Sequence, residues 1–393
     1  MKVLVVGSGG REHALVWAFA REGGGVELHA APGNPGIAAL ASCHPARAED
    51  PAAIAPLAAE LDVDLVVVGP EAPLVVGLAD ALRRRGIPVF GPSAAAARIE
   101  GSKMFAKDVM DAAGVPTART LAVARPPCVV KADGLAAGKG VWVCHDQDKL
   151  DHALRAAQAL GQPFHVEELL EGPELSLFAI AAGGEAIALP PARDYKRIGD
   201  GDTGPNTGGM GSYSPVADAP EPEEIVETIH RPVLRELARR GTPFTGLLYA
   251  GLMLTDDGVR VIEFNCRFGD PETQSILPRL QPGLLDALAA AAAGELRGVR
   301  LSVTDGAAVT VVVASRDYPQ RGESGTPIAG IEEAGLVFHA GTALQDGRVV
   351  TNGGRVLDVV GTGDSVADAR ANAYAGVARI DFAGMRYRTD IGV

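Results

Sequence analysis

Residues 261–274 have the sequence VIEFNCRFGDPETQ, in which a strand-like run leads into a polar turn. Side chains alternate between the two faces of a strand, so Glu263 and Asn265 share one face and Phe264 takes the other. Two oxygen donors on one face suit Mg²⁺, which binds one or two protein oxygens together with phosphates and water. Arg267 can then neutralise a phosphoryl group or hold a carboxylate. The stretch predicts a metal and phosphate site, with a surface ion pair between Glu263 and Arg267 as the alternative.

The composition of the 393-residue chain indicates a folded protein of roughly two or three domains. Its 49 acidic and 36 basic residues give a net charge of −13, which argues against non-specific binding to nucleic acid or to anionic membranes. The four cysteines form no CxxC pair and no zinc spacing, as is typical of reduced cytoplasmic thiols. The sequence contains no signal-peptide pattern and no uncharged apolar stretch of about 18 residues. We therefore expect a cytoplasmic enzyme without nucleic-acid or membrane partners.

The first hundred residues alternate between strand and helix patterns, which predicts a doubly wound parallel sheet with strands at 3–6, 26–30, 65–68 and 88–90. The first turn, VVGSGGRE at 5–12, places backbone N–H groups at the positive end of a helix, where a phosphate binds well. A nicotinamide dinucleotide fold is disfavoured because Glu12 replaces the last glycine of its fingerprint and no acidic residue ends the second strand. A turn with a purely structural role is the remaining alternative.

The middle of the chain carries a strand lysine and a glycine-rich loop, in VVKADGLAAGKGV at 129–141. Lys131 and Lys139 could hold a triphosphate under a flexible loop. The loop is not a Walker A motif, because its glycines are too close together and Gly140 replaces the Ser or Thr that would bind magnesium. The simpler alternative is a hairpin turn.

Two further polar segments are candidates for function. The acidic stretch VEELLEGPELS at 166–176 could read adenine through its backbone and ribose through a carboxylate, although alone it is only an acidic loop. The segment 195–215, YKRIGDGDTGPNTGGMGSYSP, predicts an ordered functional loop rather than a linker.

Downstream we predict a helix at 223–240 with a kink at Pro232, and a hairpin at 247–265. Short strands and a helix at 366–377 then form a C-terminal domain, in which TNGGRVL at 351–357 either closes the site or forms a plain hairpin.

This ordered set of lysine strand, glycine loop, acidic hinge and Glu-x-Asn resembles the ATP-grasp superfamily, in which the nucleotide lies between two α+β subdomains. Five motifs, GSGGREHAL, GPEAPL, ADGLAAGKG, GPNTGGMG and RFGDPETQ, resemble the family of phosphoribosylamine–glycine ligases, and the resemblance runs from residue 1 to 392. It implies that ATP, glycine and 5-phosphoribosylamine react through a glycyl phosphate to give glycinamide ribonucleotide, ADP and phosphate in purine biosynthesis. It also implies Mg²⁺, with Mn²⁺ as a substitute, and a monomer.

Two alternatives were weighed against this function. Another ATP-grasp carboxylate–amine ligase is disfavoured by the N-terminal phosphate turn and by RFGDPETQ. A non-catalytic nucleotide-binding regulator is disfavoured by the intact Glu263, Asn265 and Arg267.

Carried over residue by residue, the resemblance places the metal on Glu263 and Asn265. ATP would be held by phosphate-binding lysines, by the lid loop and by the acidic hinge. These residues are Lys103 and Lys131, then Gly134, Gly138, Lys139 and Gly140, then Glu167, Glu168, Leu169 and Glu174.

The resemblance places the other substrates at the strand ends of the N-terminal domain and around 267–272. The residues implied for phosphoribosylamine are Gly9, Gly10 and Glu71. The point where the amine meets the acyl phosphate, called the joining point, would be bordered by Asp194, Lys196, Asn206, Gly208 and Gly209. The residues implied for glycine and the acyl phosphate are Arg267, Asp270, Pro271 and Glu272. Arg267, Asp194, Lys196 and Asp270 would be catalytic.

The implied architecture is a multidomain α/β and α+β protein. We expect an N-terminal phosphoribosylamine-binding domain at 1–100, an ATP-grasp core at 101–120 and 190–300, a lid at 121–189 and a C-terminal domain at 301–393. The chain departs from the family in a shortened lid and in Tyr195, which stands where the family usually has histidine.

Overall fold

The computed structural model describes residues 1–134 and 140–393, and its N-terminal part is a five-stranded parallel sheet. The strand order is β3-β2-β1-β4-β5, and β1 and β4 are buried on both faces, as their continuous aliphatic runs predict. The elements are β1 Lys2–Gly7, α1 Gly10–Ala20, β2 Glu27–Pro32, β3 Ser42–Cys43, α2 Pro51–Glu60, β4 Leu65–Val68, α3 Glu71–Val75, α4 Leu78–Arg83, β5 Val89–Phe90, α5 Ala94–Gly101 and α6 Lys103–Ala113. The predicted doubly wound domain is confirmed.

A small lid unit follows, with three antiparallel strands and one helix around its own core. Its elements are β6 Cys128–Ala132, β7 Val141–Cys144, α7 Gln147–Ala159 and β8 Phe164–Glu168. The predicted lid boundary at residue 189 is wrong. The next two strands, β9 Glu174–Ala182 and β10 Glu185–Ala188, belong to a different sheet, because β9 is almost completely buried and pairs along its whole length with a later strand of the core.

The core sheet has the order β10-β9-β15-β16 and carries Glu263 and Asn265 on its edge strand, β16. The intervening elements are β11 Arg193–Asp194, β12 Arg197–Gly199, β13 Thr203–Asn206, β14 Gly211–Ser214, α8 Pro222–Ile225, α9 Arg231–Arg239, β15 Thr245–Thr255 and β16 Gly258–Asn265. The predicted hairpin is β15–β16. The predicted kink is a π-helical turn at Val226–His230, immediately before Pro232, whose missing N–H interrupts the helical bonding.

The C-terminal part is built on a sheet that borrows two strands from the core segment. Its order is β11-β14-β17-β22-β19, so the predicted domain at 301–393 does not complete its own sheet. The remaining elements are α10 Glu272–Ile276, α11 Leu284–Ala293, β17 Ala307–Ala314, β18 Glu323–Pro327, β19 Leu336–His339, β20 Thr342–Gln345, β21 Arg348–Gly353, β22 Arg355–Gly363 and α12 Val366–Val377. Among the described residues, no helix combines the length and the apolar character needed to span a membrane.

The N-terminal and C-terminal sheets are joined through buried histidines. The His339 N–H group donates to His13 Nδ1 at 2.8 Å, and Asn34 Nδ2 donates to the carbonyls of His339 and Ser8 at 2.7 and 2.8 Å. The His13 ring also packs edge-on against Phe338. The two sheets therefore meet at the end of the parallel sheet where ligands bind in this class of fold.

Acidification should weaken this junction. Burial, reinforced by the neighbouring His339, lowers the pKa of His13 from 6.5 to about 3, so the folded protein holds His13 neutral while the unfolded chain protonates it. The stabilisation is present above pH 6.5 and is lost as the pH falls towards 3. His13→Asn keeps an acceptor but does not titrate. Urea unfolding at pH 7 and pH 5 should therefore show a pH-dependent loss that is smaller in His13→Asn by about 2 kcal/mol.

His152→Asn, on the exposed side of α7, is the matched control and should lose as much stability as the unmodified protein between the two pH values. An equal loss in His13→Asn would show that His13 does not carry this pH dependence.

Candidate active site

Glu263 and Asn265 lie on β16 with the predicted alternation. Phe264 packs into the core with 3% of its surface exposed, and Asn265 is buried on the opposite face. Glu263 pairs with Gly251 of β15, where a side chain would crowd the Glu263 Cγ atom. The β15–β16 register shifts just before Glu263, so that Ile262 is an extra residue in the strand. This bulge turns the Ile262 carbonyl towards the lid, where Lys131 Nζ donates to it at 3.0 Å.

Lys131 is held by a buried cluster centred on Glu167. The Glu167 carboxylate lies 2.7 Å from Lys131 Nζ, 3.1 Å from Lys107 Nζ and 3.1 Å from His165 Nε2. Burial alone would raise its pKa, but the hydrogen bond from His165 and the charges of Lys131 and Lys107 lower the pKa of Glu167 to about 2. Both oxygens are engaged and only 3% of Glu167 is exposed, so the carboxylate holds the lysines rather than facing an open ribose site.

Lys107 was missed by the sequence analysis. It lies one helical turn after Lys103 on α6, in SKMFAK, and this spacing is the only local signal. Burying a second lysine beside Lys131 is tolerable only because Glu167 stands between them.

One end of the lid loop is tied to the start of α6 and the other end to β6. Lys103 Nζ donates to the Gly134 carbonyl at 3.2 Å, and the Asp133 carboxylate accepts from the Met104 N–H group at 3.2 Å. At the other end, the Gly140 carbonyl accepts from the Ala132 N–H group at 2.8 Å. The structure therefore brings the predicted Lys103 and Gly134 together. The predicted Gly138 and Lys139 lie outside the described residues.

The rest of the predicted hinge divides into two environments. Glu168 pairs with the exposed Arg119 at 2.6 Å, on the outer side of the lid, and the half-buried Leu169 follows it. Glu174, at the start of β9, instead pairs with Lys196. Glu174 therefore faces the predicted joining point and Glu168 does not.

Lys196 is surrounded by carboxylates. Its Nζ atom contacts Glu174 and lies 3.4 Å from Asp194 Oδ1. Burial raises the pKa of Asp194 to about 7; Lys196 opposes this shift, and Glu272 and Glu174 add to it. Burial would lower the pKa of Lys196, but Asp194 and Glu174 hold it well above its usual value, with Glu263 contributing. An excess of negative charge around one partly exposed lysine suits a bound cation and the phosphates that accompany it.

Arg267 connects the core to the N-terminal domain. It lies 3.2 Å from Glu71, at the start of α3, and 3.4 Å from the buried Glu100. Glu100 also accepts from the Cys266 N–H group at 2.8 Å, which fixes the backbone next to Arg267. Burial would lower the pKa of Arg267, but Glu100 and Glu71 raise it. Two predicted residues, Glu71 and Arg267, are thus brought together, and Glu100 is a partner that the sequence did not reveal.

Asp270 and Arg355 form the wall of a cleft between the N-terminal and C-terminal parts. Arg355 Nη2 lies 2.9 Å from the Asp270 carboxylate, and Nη1 donates to the Asp270 carbonyl at 2.8 Å and to the Gly208 carbonyl. The Tyr318 hydroxyl accepts from the Gly208 N–H group at 2.8 Å. The cleft encloses about 460 Å³ and is lined by Ser8, Gly9, Pro32, Gly33, Asn34, Asp270, Tyr318, Ala340, Gly341, Thr342, Asn352, Gly354 and Arg355.

The sequence anticipated only part of this wall. Gly9, predicted to hold phosphoribosylamine, and Asp270, predicted to place glycine, both line the cleft, and Gly209 packs against Pro271. Tyr318 and the lining residues of the C-terminal part were not foreseen. Only TNGGRVL, which contains Arg355, hinted at them, and a plain hairpin was an equal alternative. Asn206, which was also predicted, is not among the residues that line the cleft; it ends β13 and pairs with Arg197 of β12.

Gly10 does not line the cleft, which corrects its predicted role. It is buried, and a Cβ atom there would overlap the Asp358 carboxylate, so a glycine is needed for the packing of α1 against β22. Glu12 has a comparable packing role: its side chain fills the space between Gly7 and Gly69 and accepts from the Gly9 N–H group at 2.6 Å. The Glu12 carboxylate, in the first turn of α1, therefore caps the N-terminus of this helix.

The whole chain matches known proteins domain by domain. Family descriptions of phosphoribosylglycinamide synthetase match at residues 1–100 for the N domain, 101–273 for the ATP-grasp (A) domain and 308–393 for the C domain. The chain belongs to the phosphoribosylglycinamide synthetase family.

Two curated relatives are named phosphoribosylamine–glycine ligase. The protein of Streptomyces coelicolor is 52% identical over all of this chain and 98% of the relative, and that of Leifsonia xyli is 51% identical over all of this chain and 99% of the relative. The crystal structure of the Thermotoga maritima phosphoribosylamine–glycine ligase matches with a TM-score of 0.86 at 37% identity, over 99% of this chain and 100% of that chain.

A more distant structure shows that the fold is shared more widely. The biotin carboxylase domain of the Hydrogenobacter thermophilus 2-oxoglutarate carboxylase, solved with MgADP and bicarbonate, matches with a TM-score of 0.70 at 17% identity. The match covers 98% of this chain and 91% of that chain. At this identity the likeness concerns the fold alone; the predicted ATP-grasp architecture is confirmed by the family match at residues 101–273.

Lys107 should contribute to stability through Glu167. Removing one member of a buried ion pair leaves a charge without its partner, so Lys107→Met should lower the free energy of unfolding by about 3 kcal/mol. In a double-mutant cycle with Glu167→Gln, the double variant should lose less than the sum of the single variants. Urea unfolding measures all three.

The exposed Lys149→Met on α7 is the matched control and should stay close to the unmodified protein. If Lys107→Met were as stable as Lys149→Met, the buried cluster would not hold the lid in the way described.

Proposed function

We propose that the chain joins glycine to 5-phosphoribosylamine at the expense of ATP, through a glycyl phosphate, to give glycinamide ribonucleotide, ADP and phosphate in purine biosynthesis. One observation supports the proposal: a single stretch, 261–274, carries Glu263 and Asn265 on β16 and Asp270 in the wall of a separate cleft. A ligase that first activates one substrate and then transfers it to another needs two such adjoining sites. The relatives that match over their full length bear the name of this activity.

The nucleotide would lie between the lid sheet and the core sheet. Lys103 and Lys131 are at that junction and would meet its phosphates, with Gly134 and Gly140 at the ends of the covering loop. Glu174, at the start of β9, would receive the ribose. Glu167 would act on the nucleotide through Lys131, because its own carboxylate is enclosed.

The donor set on β16 fits a magnesium ion. Glu263 and Asn265 offer hard oxygens from one strand face, and within the described part of the chain Glu263 forms no ion pair that would compete. After Asp194 and Glu174, the charge of Glu263 also contributes to the raised pKa of Lys196, which supports a role for this carboxylate near the proposed reaction centre. When bound, Mg²⁺ or Mn²⁺ would neutralise phosphate charge during transfer.

The residues around the joining point suit the two chemical steps. In the first, a glycine carboxylate oxygen bonds to the γ-phosphorus and the bond to ADP breaks; Lys131, Lys196 and Arg267 supply positive charge to the transferring group. In the second, the amine of phosphoribosylamine bonds to the acyl carbon and phosphate leaves. The amine must lose a proton, and Asp194, with its pKa raised to about 7, is suited to accept it.

The cleft between the N-terminal and C-terminal parts would hold the phosphosugar. Its volume of about 460 Å³ is within the usual range of small-molecule sites. Arg355 provides a positive charge, and Ser8 and Gly9 bring backbone groups at the start of α1. Gly208 and Gly209, held by Arg355 and Pro271, would border the path from this cleft to Lys196.

The cytoplasmic location and the monomeric state are also proposals. The four cysteines are free thiols, as suits a reducing cytoplasm. A monomer is expected from the family resemblance, and analytical ultracentrifugation would test it.

Phosphate release from ATP should require all three substrates. Purified protein with ATP and Mg²⁺ should release phosphate steadily only when both glycine and phosphoribosylamine are added, because the acyl phosphate is consumed only by the amine. A coupled phosphate assay with a mass measurement of glycinamide ribonucleotide checks both products. Turnover with another amino acid and none with glycine would contradict the substrate assignment.

Glu263→Ala is the informative variant in the same assay. It should lower turnover by about 100-fold while leaving the unfolding curve unchanged, because a half-exposed metal ligand contributes to the transition state and little to the core. Glu333→Ala, on the exposed surface of the C-terminal part, is the matched control and should retain full turnover. A near-normal rate in Glu263→Ala would remove this residue from the metal site.

A further inference from the structure

The last eight residues of the chain, 386–393, lie against the β12–β13 hairpin, and we call them the C-terminal tail. The Asp390 carboxylate accepts from the Gly201 N–H group at 2.8 Å, and the Thr389 N–H group donates to Asp200 at 2.8 Å. Two segments that are 189 residues apart in the sequence therefore exchange hydrogen bonds in both directions. The hairpin tip is thus anchored to the end of the chain.

Arg388 is the centre of this contact. It is 1% exposed, and its guanidinium lies 2.7 Å from Asp202 on the hairpin and 2.6 Å from Asp390 on the tail. It also donates to the Arg197 carbonyl at 3.2 Å and lies 4.7 Å from the centre of the Tyr195 ring. A planar guanidinium with this many partners has one orientation available to it.

Besides Arg388, a second residue of the tail, Gly392, contacts Tyr195. The Gly392 N–H group donates to its hydroxyl at 3.1 Å, and Ile391 packs on Gly211 where any side chain at 211 would collide with it. Tyr195 in turn donates its N–H group to the Gly211 carbonyl at 3.0 Å. The residue that departs from the usual histidine of the family is therefore part of the contact with the tail.

The residues held by Arg388 flank Lys196 on both sides. The Tyr195 ring faces the tail and the Arg197 carbonyl accepts from Arg388, whereas the Lys196 side chain turns towards Asp194 and Glu174. The Lys196 carbonyl is fixed as well, by the Thr207 N–H group at 2.7 Å. The backbone on either side of the lysine thus depends on contacts with a guanidinium that does not reach the reaction centre.

We infer that Arg388 and the C-terminal tail are positioning elements that set the direction of Lys196 and of the Gly-rich segment 195–211 for acyl-phosphate chemistry. This inference rests on the proposed function for its kinetic consequence. Its structural consequence, the ordering of 195–211 by the tail, can be measured without turnover. A shift of about 1 Å in a positioned group can reduce a rate by about 100-fold, so a contact far from the substrates can control turnover.

The test compares Arg388→Met with Arg386→Met. Arg386 is on the same tail, but its guanidinium donates to the carbonyls of Arg316 and Tyr318 within the C-terminal part. Hydrogen exchange of the amides of 195–211 and steady-state kinetics are measured on both full-length variants. Arg388→Met should exchange faster across 195–211 and lose about tenfold or more in kcat, with the KM for phosphoribosylamine within about twofold. Arg388→Lys should recover part of kcat, and Arg386→Met should match the unmodified protein.

Equal kcat in Arg388→Met and Arg386→Met would overturn the inference. So would faster exchange throughout the C-terminal part with a kcat loss that only follows the unfolded fraction, because Arg388 would then be merely structural. If the unmodified protein fails to make glycinamide ribonucleotide, the proposed function is wrong, and the exchange of 195–211 alone decides whether the tail orders this segment.

Discussion

The ion pair between Arg355 and Asp270 joins the parts of the chain that form the site. Asp270 lies in the turn that follows β16, and Arg355 begins β22 of the C-terminal sheet. Gln274 extends the contact by donating to Asp270 and to the buried Asp358 at 2.9 and 2.8 Å, and Gly10 at the start of α1 packs directly on Asp358. A largely buried ion pair is stable only where further hydrogen bonds compensate for lost hydration. This junction therefore requires the turn after β16, the C-terminal sheet and the start of α1 to be packed together.

The lid is attached to the same core by a different buried arrangement. Lys131 is shared between the Glu167 carboxylate of the lid and the Ile262 carbonyl of the core, and Lys107 approaches Glu167 from α6. The bulge that exposes the Ile262 carbonyl lies next to Glu263. The positions of Lys131 and Glu263 therefore depend on the same local feature of β16.

Much of the fold could be predicted from the sequence, because buried parallel strands and the β15–β16 hairpin carry strong local patterns. The lid boundary was wrong, since a fully buried strand such as β9 looks the same whichever sheet it joins. Gly10 was misassigned because a glycine needed for packing and one needed for a ligand look alike in a sequence. Lys107, Glu100, Tyr318 and the tail contacts of Arg388 were missed because each depends on a partner distant in the chain. For the same reason Glu167 was placed with Leu169 and Glu174 among the residues that read adenine and ribose, whereas its carboxylate is enclosed by Lys131 and Lys107.

The KM for phosphoribosylamine in an Arg355→Met variant tests most directly whether the cleft and the nucleotide site are two adjoining halves of one active site. Arg355 lines the cleft, whereas Lys131 and Glu263 lie at the junction of the lid and the core, where we propose that the nucleotide binds. The KM for phosphoribosylamine should rise by about tenfold or more, as expected when a charged partner of a phosphate is lost, while the KM for ATP stays within about twofold. An unchanged KM for phosphoribosylamine, or an equal rise in the KM for ATP, would contradict this division of the site.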